Sequence, residues 1–331
     1  METRTTSRLP YSLSVVGQGC WQLGADWGNV SEDEALTVLH AALDAGVTFF
    51  DTADVYGDGR SEKLLGQLLR ERGRDGVIVF TKMGRRANPF DPSQFTLDNF
   101  RAWTDRSREN LGVDTLDLTQ LHCPPTATLF TKDTYDYLDT LVQEQRIAAY
   151  GVSVETVAEA MEAITHPGVA SIQIIINAFR HKPLEEFLPA AVEAGVAVIA
   201  RVPLASGLLS GKYTRETTFA ADDHRNFNRN GESFDVGETF AGVPFEVGVD
   251  AAVQFSELVS TSEVEATPAQ RALRWLIDTP GITTVIPGAR NASQAAANAA
   301  AGTHPSLDAS TRDAITDLYN NSIKQYVHSK W

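Results

Sequence analysis

The stretch FFDTADVYGDGRSEK, residues 49–63, begins as a strand and stops abruptly. Its apolar start runs into a carboxylate, Asp51. Five residues later a phenol, Tyr56, stands beside Gly57. An acid and a phenol at the mouth of a buried strand need a reason, and the reason depends on what lies around them.

Outward from this stretch, short β-rich runs alternate with amphipathic helical patterns. The strand candidates are 13–17 (LSVVG), 47–51 (VTFFD), 77–81 (VIVFT), 116–121 (LDLTQL), 148–152 (AAYGV), 171–176 (SIQIII), 196–200 (VAVIA) and 282–286 (ITTVI). Several are almost wholly apolar, as parallel strands covered by helices are. The helices carry start signals. Ser31 and Glu34 are spaced as a capping box, with Gly46 as a stop. Thr267, Pro268 and Gln270 form a second start, and Asn291 with Gln294 a third. In 183–195, Leu184, Phe187, Leu188 and Ala191 share one helical face.

Eight strand–helix units over residues 1–331, with no clear linker, predict one α/β domain: a (β/α)8 TIM barrel with long βα loops over its C-terminal face. A doubly wound sheet is the rival. Its phosphate fingerprint fails, because GQGCWQ has Gly17 and Gly19 but no third glycine at the required spacing. Residues 205–247 break the alternation. This long connection after the seventh strand is rich in Gly, Asp, Asn and Phe, and its length and aromatic content predict a lid over the barrel mouth.

Composition narrows the function. With 43% hydrophobic and 21% charged residues the chain can bury a large core. A net charge of −15 argues against nucleic acid and anionic membranes as partners. The polar start METRTTSRLPYS lacks the apolar core of a secretory signal, and no apolar run is long enough to span a bilayer. Cys20 and Cys123 belong to no metal-ligand spacing, so no metal is expected, and a reducing cytoplasmic setting is.

In a barrel the strand ends meet at one mouth. Asp51 ends the second strand, Lys82 follows the third, His122 follows the fourth, and Tyr56 lies on the loop after Asp51. A free phenol titrates near ~10 and donates a proton poorly at neutral pH. A lysine ammonium beside the hydroxyl favours phenolate, and a carboxylate balances the buried ammonium. A histidine can hydrogen-bond a carbonyl oxygen. The four together suit protonation of an oxygen while hydride reaches its carbon. Each taken alone also reads as a structural ion pair, a loop anchor or a core histidine.

These motifs resemble those of the aldo-keto reductase family. DTADVYG resembles its D-T-A-x-x-Y-G motif, TK and LH its next two catalytic strand ends, and ENLGVDTLDLTQLH the segment leading to its histidine. The likeness runs from about Leu13 to Asn298. It implies an oxidoreductase that interconverts an aldehyde or ketone, a sugar among the candidates, and its alcohol. Tyr56 would be general acid and base, and His122 would orient the carbonyl. Lys82, held by Asp51, would lower the pKa of Tyr56. A nicotinamide cofactor would lie extended across the barrel mouth.

The resemblance also assigns cofactor contacts. Ser153 and Gln173 would hold the carboxamide. Val154 replaces the family's asparagine, which turns attention to Asn177. Arg201 stands where many members have a tyrosine stacked on the nicotinamide; pairing with an acid is the other reading. PLASGLLSGK resembles the pyrophosphate loop and brings in Leu204, Gly207, Leu209, Gly211 and Lys212. IPGARNASQ resembles the adenosine signature and brings in Gly288, Arg290, Gln294 and Asn298. Arg290 at a helix N-terminus suits a 2′-phosphate, favouring NADP(H) over NAD(H); Gln294 as a plain capping residue is the alternative. Trp21, with Tyr56 and His122, would line a substrate pocket; Phe90 is equally plausible as loop packing. The partner implied is a small carbonyl or polyol, and the sequence is silent on oligomeric state. The family also contains channel-associated subunits, so a cofactor-binding regulatory role without significant turnover is the alternative function.

Overall fold

The computed structural model describes residues 1–24, 30–260 and 265–331. Ten strands are present among them: β1 (Thr3–Arg4), β2 (Leu13–Ser14), β3 (Gln18–Gly19), β4 (Phe49–Asp51), β5 (Ile78–Met83), β6 (Leu118–His122), β7 (Tyr150–Ser153), β8 (Val169–Ile175), β9 (Ala197–Arg201) and β10 (Thr284–Val285). Strands β3 to β10 form one sheet in which sequential strands pair in parallel. Bridges from Val16 to Val285 and from Gly19 to Gly288 join the first strand to the last. The sheet therefore closes, and the fold is the (β/α)8 barrel.

The first strand differs from expectation. Leu13 and Ser14 pair antiparallel with Thr3 and Arg4, and pairing with the last barrel strand begins at Val15–Gly17, just before β3. The apolar run LSVVG is continuous because it serves two structures in turn. Leu13 packs with Leu9, Phe49, Phe80, Leu118 and Ile199 in the cluster that fills the lower barrel. Phe49 and Phe80 meet edge to face at 4.7 Å.

Side-chain alternation explains what the upper barrel holds. Successive residues of a strand face opposite sides. Phe49 lies in the interior cluster and Phe50 in the layer between strands and helices. Asp51, two residues past Phe49, returns to the interior. The same parity carries Phe80 to Lys82 on β5, and Leu118 through Gln120 to His122 on β6. Registers pair Lys82 with Gln120, His122 with Ser153, and Ser153 with Gln173. An apolar floor thus gives way to a polar layer at the C-terminal end.

The expected helix starts are present. Ser31 and Glu34 form a reciprocal capping box, as do Thr267 and Gln270 behind Pro268. Asn291 caps helix Ala292–Ala300 by accepting from the Gln294 N–H, whereas the Gln294 side chain accepts from the Arg290 N–H instead. Residues 205–247 return over the barrel mouth as short turns. Their aromatics pack on one another: Phe219, Phe240 and Phe245 lie 5.0–5.8 Å apart, with Tyr213 5.3 Å from Phe219. Among the described residues no helix is long and apolar enough to cross a membrane.

Candidate active site

Lys82 is the pivot. Its side chain is 1% exposed and its ammonium has three acceptors: Asp51 Oδ1 at 2.5 Å, the Thr52 carbonyl at 3.0 Å and Tyr56 Oη at 3.3 Å. An ammonium carries three N–H groups, so this set uses all of them. Asp51 is held from its other side. Oδ2 accepts from Gln173 Nε2 at 2.7 Å and from Gln120 Nε2 at 3.4 Å. Burial works against the Lys82 charge, but Asp51 and Tyr56 outweigh it and keep its pKa above the ordinary lysine value.

Tyr56 sits on a turn pressed against its neighbours. A Cβ on Gly57 would lie 2.2 Å from the Gly24 carbonyl oxygen, and Gly57 has φ +59°. Glycine there lets the turn approach the segment carrying Trp21. The Trp21 ring stacks on Tyr56 at 6.2 Å, and the His122 ring meets Tyr56 edge-on at 5.8 Å. Burial pushes the Tyr56 phenol up to about 12; Lys82 pulls the other way. The expected lowering by Lys82 is therefore present but smaller than the cost of burying a phenolate. Burial, reinforced by Arg85, Lys82 and Arg201, drives the His122 pKa well below the ordinary imidazole value, so the ring is neutral.

One cavity of about 640 Å³ collects most of the candidate residues. It is lined by Asp51, Tyr56, His122 and Trp21, by Ser153, Gln173 and Arg201, by Leu204, Gly207 and Lys212, and by Gly288, Arg290, Gln294 and Asn298. Lys82 lies just beneath. Two candidates are not brought to it. Leu209 is fully buried in the core, and a Cβ on Gly211 would face Ser256 at 2.6 Å. Asn177 is also committed elsewhere: it donates to the Val202 carbonyl and accepts from the Phe179 N–H. Phe90 is exposed and packs on Phe95. Arg201 is 2.8 Å from Glu155 and 2.6 Å from Glu238, so the ion-pair reading of this arginine describes its surroundings.

Several groups in or around the site were not singled out from the sequence. Gln120 follows from parity with His122, once the strand is known. His224 and Phe234, from the long connection, lie 5.1 Å and 5.9 Å from the Trp21 ring. Glu238 comes from the same connection and reaches the cavity wall. Cys123, Glu155 and Glu238 offer ligand atoms within 4.8 Å of one another. Both carboxylates are matched by Arg201, however, and burial pushes the Cys123 thiol up to about 12. That cluster suits a guanidinium better than a metal ion.

The residues present fit an extended dinucleotide. Ala205, Ser206 and Gly207 have φ of +47°, +54° and +97° in succession, a tight turn closed by the Ala205 and Gly207 N–H groups on the Val202 and Leu204 carbonyls, and Leu204, Ser206 and Gly207 line the cavity. Lys212 adds charge beyond it. Across the cavity, Arg290 precedes the N-terminus of helix Ala292–Ala300, and Asn298 reaches back to the Gly288 carbonyl. Arg201 Nε is buried with no hydrogen-bond partner among the described residues.

Comparison with known proteins agrees with this geometry. The model of the Aldo/keto reductase family matches residues 15–320. Aldo-keto reductase YhdN of Bacillus subtilis (strain 168) is 30% identical over 300 residues, covering 89% of this chain and 86% of that protein. The glycerol dehydrogenase AKR11B4 from Gluconobacter oxydans superposes with a TM-score of 0.78 at 29% identity, covering 97% of this chain and 96% of that one. An aldo-keto reductase from Klebsiella pneumoniae, solved in complex with NADPH, shares the fold with a TM-score of 0.69 at 23% identity and 96% coverage of each chain. A closed parallel barrel, an acid–lysine–tyrosine chain at its C-terminal mouth and a family match over nearly the whole length lead to one assignment: this chain belongs to the aldo/keto reductase family of oxidoreductases.

Proposed function

We propose that the protein is an NADP(H)-preferring carbonyl reductase that reduces an aldehyde or ketone to its alcohol, with Tyr56 as the proton donor. The observation that carries this reading is the hydrogen-bonded chain Asp51–Lys82–Tyr56 opening on the same cavity as His122.

The cofactor supplies a hydride to the carbonyl carbon when bound. The chain's own residues manage the oxygen. His122, neutral and beside Tyr56, donates a hydrogen bond that sets the carbonyl in place. The Tyr56 hydroxyl gives its proton to that oxygen as negative charge develops there. Lys82 Nζ, 3.3 Å from the phenol oxygen, stabilises the phenolate left behind. Asp51 neutralises the buried ammonium throughout, and Gln173 and Gln120 fix the carboxylate. In the reverse direction the phenolate is the base.

Ser153 and Gln173 would face the nicotinamide end, and Arg201 would offer its unpaired Nε there. Gly207, with Leu204 and Lys212, would receive the pyrophosphate. Arg290 would pair with a 2′-phosphate, supported by Gln294 and Asn298. A panel of aldehydes, ketones and polyols, followed by nicotinamide absorbance with each cofactor in each direction, tests the reading. Turnover of aldehydes with NADPH is expected. Cofactor binding with no turnover of any carbonyl would instead favour a regulatory subunit.

A further inference from the structure

The Tyr56 end of the cavity holds charges that proton and hydride transfer do not use. Arg201, at the end of β9, lies between Glu155 at 2.8 Å and Glu238 at 2.6 Å. Arg85, just past β5, reaches the same two acids at 3.4 Å and 3.6 Å. The two cations and two anions balance one another, and Arg180 stands behind them outside the cavity lining, donating to the Glu155 carbonyl at 3.2 Å. Lys82 and Asp51 form a second neutral pair below them. The other cations lining the cavity are Lys212 and Arg290, assigned above to phosphates, and Arg225, which pairs with Asp223 at 2.5 Å.

Within the set, the four residues differ in what they touch. Glu238 and Arg201 line the cavity with Tyr56, His122 and Trp21, whereas Glu155 and Arg85 stand behind them. Glu238 and Tyr56 line the same cavity, and the carboxylate adds a small Coulombic push to the phenol behind those of burial, Lys82 and Asp51. A carboxylate oxygen accepts more than one hydrogen bond, so pairing with Arg201 leaves Glu238 able to take another.

This combination discriminates by charge and by hydrogen-bonding group. Burial pushes the Glu238 pKa up and Arg201 pulls it back; a hydroxyl on the carbon next to the carbonyl finds this arginine-paired carboxyl as its acceptor, and bonds to charge-paired groups are the strong ones. A carboxylate on the substrate finds no unmatched cation and meets Glu238, so its desolvation goes uncompensated.

We propose that Glu238 is a specificity-determining residue: it accepts a hydrogen bond from a substrate hydroxyl adjacent to the carbonyl, selecting neutral hydroxyaldehydes and hydroxyketones and rejecting carbonyl compounds that bear a carboxylate. The inference rests on the reductase reading above.

The test compares kcat/KM for two matched pairs, glyceraldehyde with propanal and butanal with succinic semialdehyde, using NADPH. The wild type is expected to favour glyceraldehyde over propanal by about tenfold, and butanal over succinic semialdehyde by about a hundredfold, the sizes that a charge-assisted bond and an unpaired buried charge bring. Glu238→Gln should cut the first ratio about tenfold, mostly through KM, and raise relative use of succinic semialdehyde about tenfold. Glu238→Asp, which keeps the charge but shortens the reach, should retain the rejection of succinic semialdehyde. Equal losses on all four substrates in Glu238→Gln would overturn the inference, since Glu238 would then only support Arg201. The wild-type ratios need no variant to fold, and ratios near one also overturn it while leaving the reductase reading intact. Turnover of none of the four overturns both.

Discussion

Lys82 spends all three of its N–H groups on Asp51, Thr52 and Tyr56, so the protonated form is the only one that completes the network. Removing it leaves Asp51 ionised and buried without a counter-charge. Lys82→Met is therefore expected to destabilise the fold by roughly 3–5 kcal/mol, and adding Asp51→Asn should recover part of that loss. Denaturant unfolding of wild type, single and double variants checks this; a single variant as stable as wild type would contradict it. His122 makes a second residue-scale prediction. Its pKa is depressed, so the ring takes up a proton only well below the usual imidazole range. The neutral form that orients the carbonyl is complete above that depressed value and is lost as pH falls through it. The kcat/KM profile for reduction should accordingly show no His122-dependent inflection near ~6.5, where an ordinary histidine titrates. An inflection there that vanishes in His122→Gln would count against the assignment. Asp51, Lys82 and His122 were legible in the sequence because each stands at the end of an apolar run, and Tyr56 because it follows Asp51 within the DTADVYG motif. Glu238 was not, because nothing local distinguishes one acid on a long connection from another.

At the scale of elements, strand parity and helix ends do most of the positioning. Parity puts Phe49, Phe80 and Leu118 in the barrel floor and Asp51, Lys82 and His122 above them. The same rule, applied to β6, would have found Gln120 from the sequence. The helix starting at Ala292 shows the limit of motif reading. Its cap was legible, but the Gln294 side chain turns to the Arg290 backbone rather than closing the box. That bond holds the chain carrying Arg290 at the helix N-terminus, where an anion is favoured. Arg290→Ala is expected to raise KM for NADPH about tenfold while changing KM for NADH less than about threefold. Steady-state kinetics with both cofactors decides it; equal effects would assign Arg290 a structural role. The loop 203–212 was legible as a composition of small residues. Which of them face the cavity was not, since Leu209 is buried in the core and Gly211 faces Ser256.

At the scale of the whole molecule, the barrel brings together side chains that sequence distance separates. Asp51 and Gln173 are 122 residues apart and 2.7 Å apart in space. The alternation of strands and helices was enough to foresee that Asp51, Lys82 and His122 share one mouth; Gln173 entered through the family resemblance, as a cofactor contact, and its bond to Asp51 was not foreseen. The alternation started the first strand early: Leu13 and Ser14 belong to the ribbon under the barrel, while Val15 to Gly17 of the same run do join the last barrel strand. The lid was foreseen as a long aromatic connection, and its aromatics build a small core of their own beside the mouth. Fold, lid and charge network converge on one phenol. The most direct test is turnover by Tyr56→Phe at saturating NADPH and aldehyde, with cofactor affinity measured on the same sample by protein fluorescence. A loss of kcat on the order of 10²–10⁴-fold, with cofactor affinity within about threefold of wild type, is expected of a lost proton donor. Wild-type turnover in the phenylalanine variant would contradict the account.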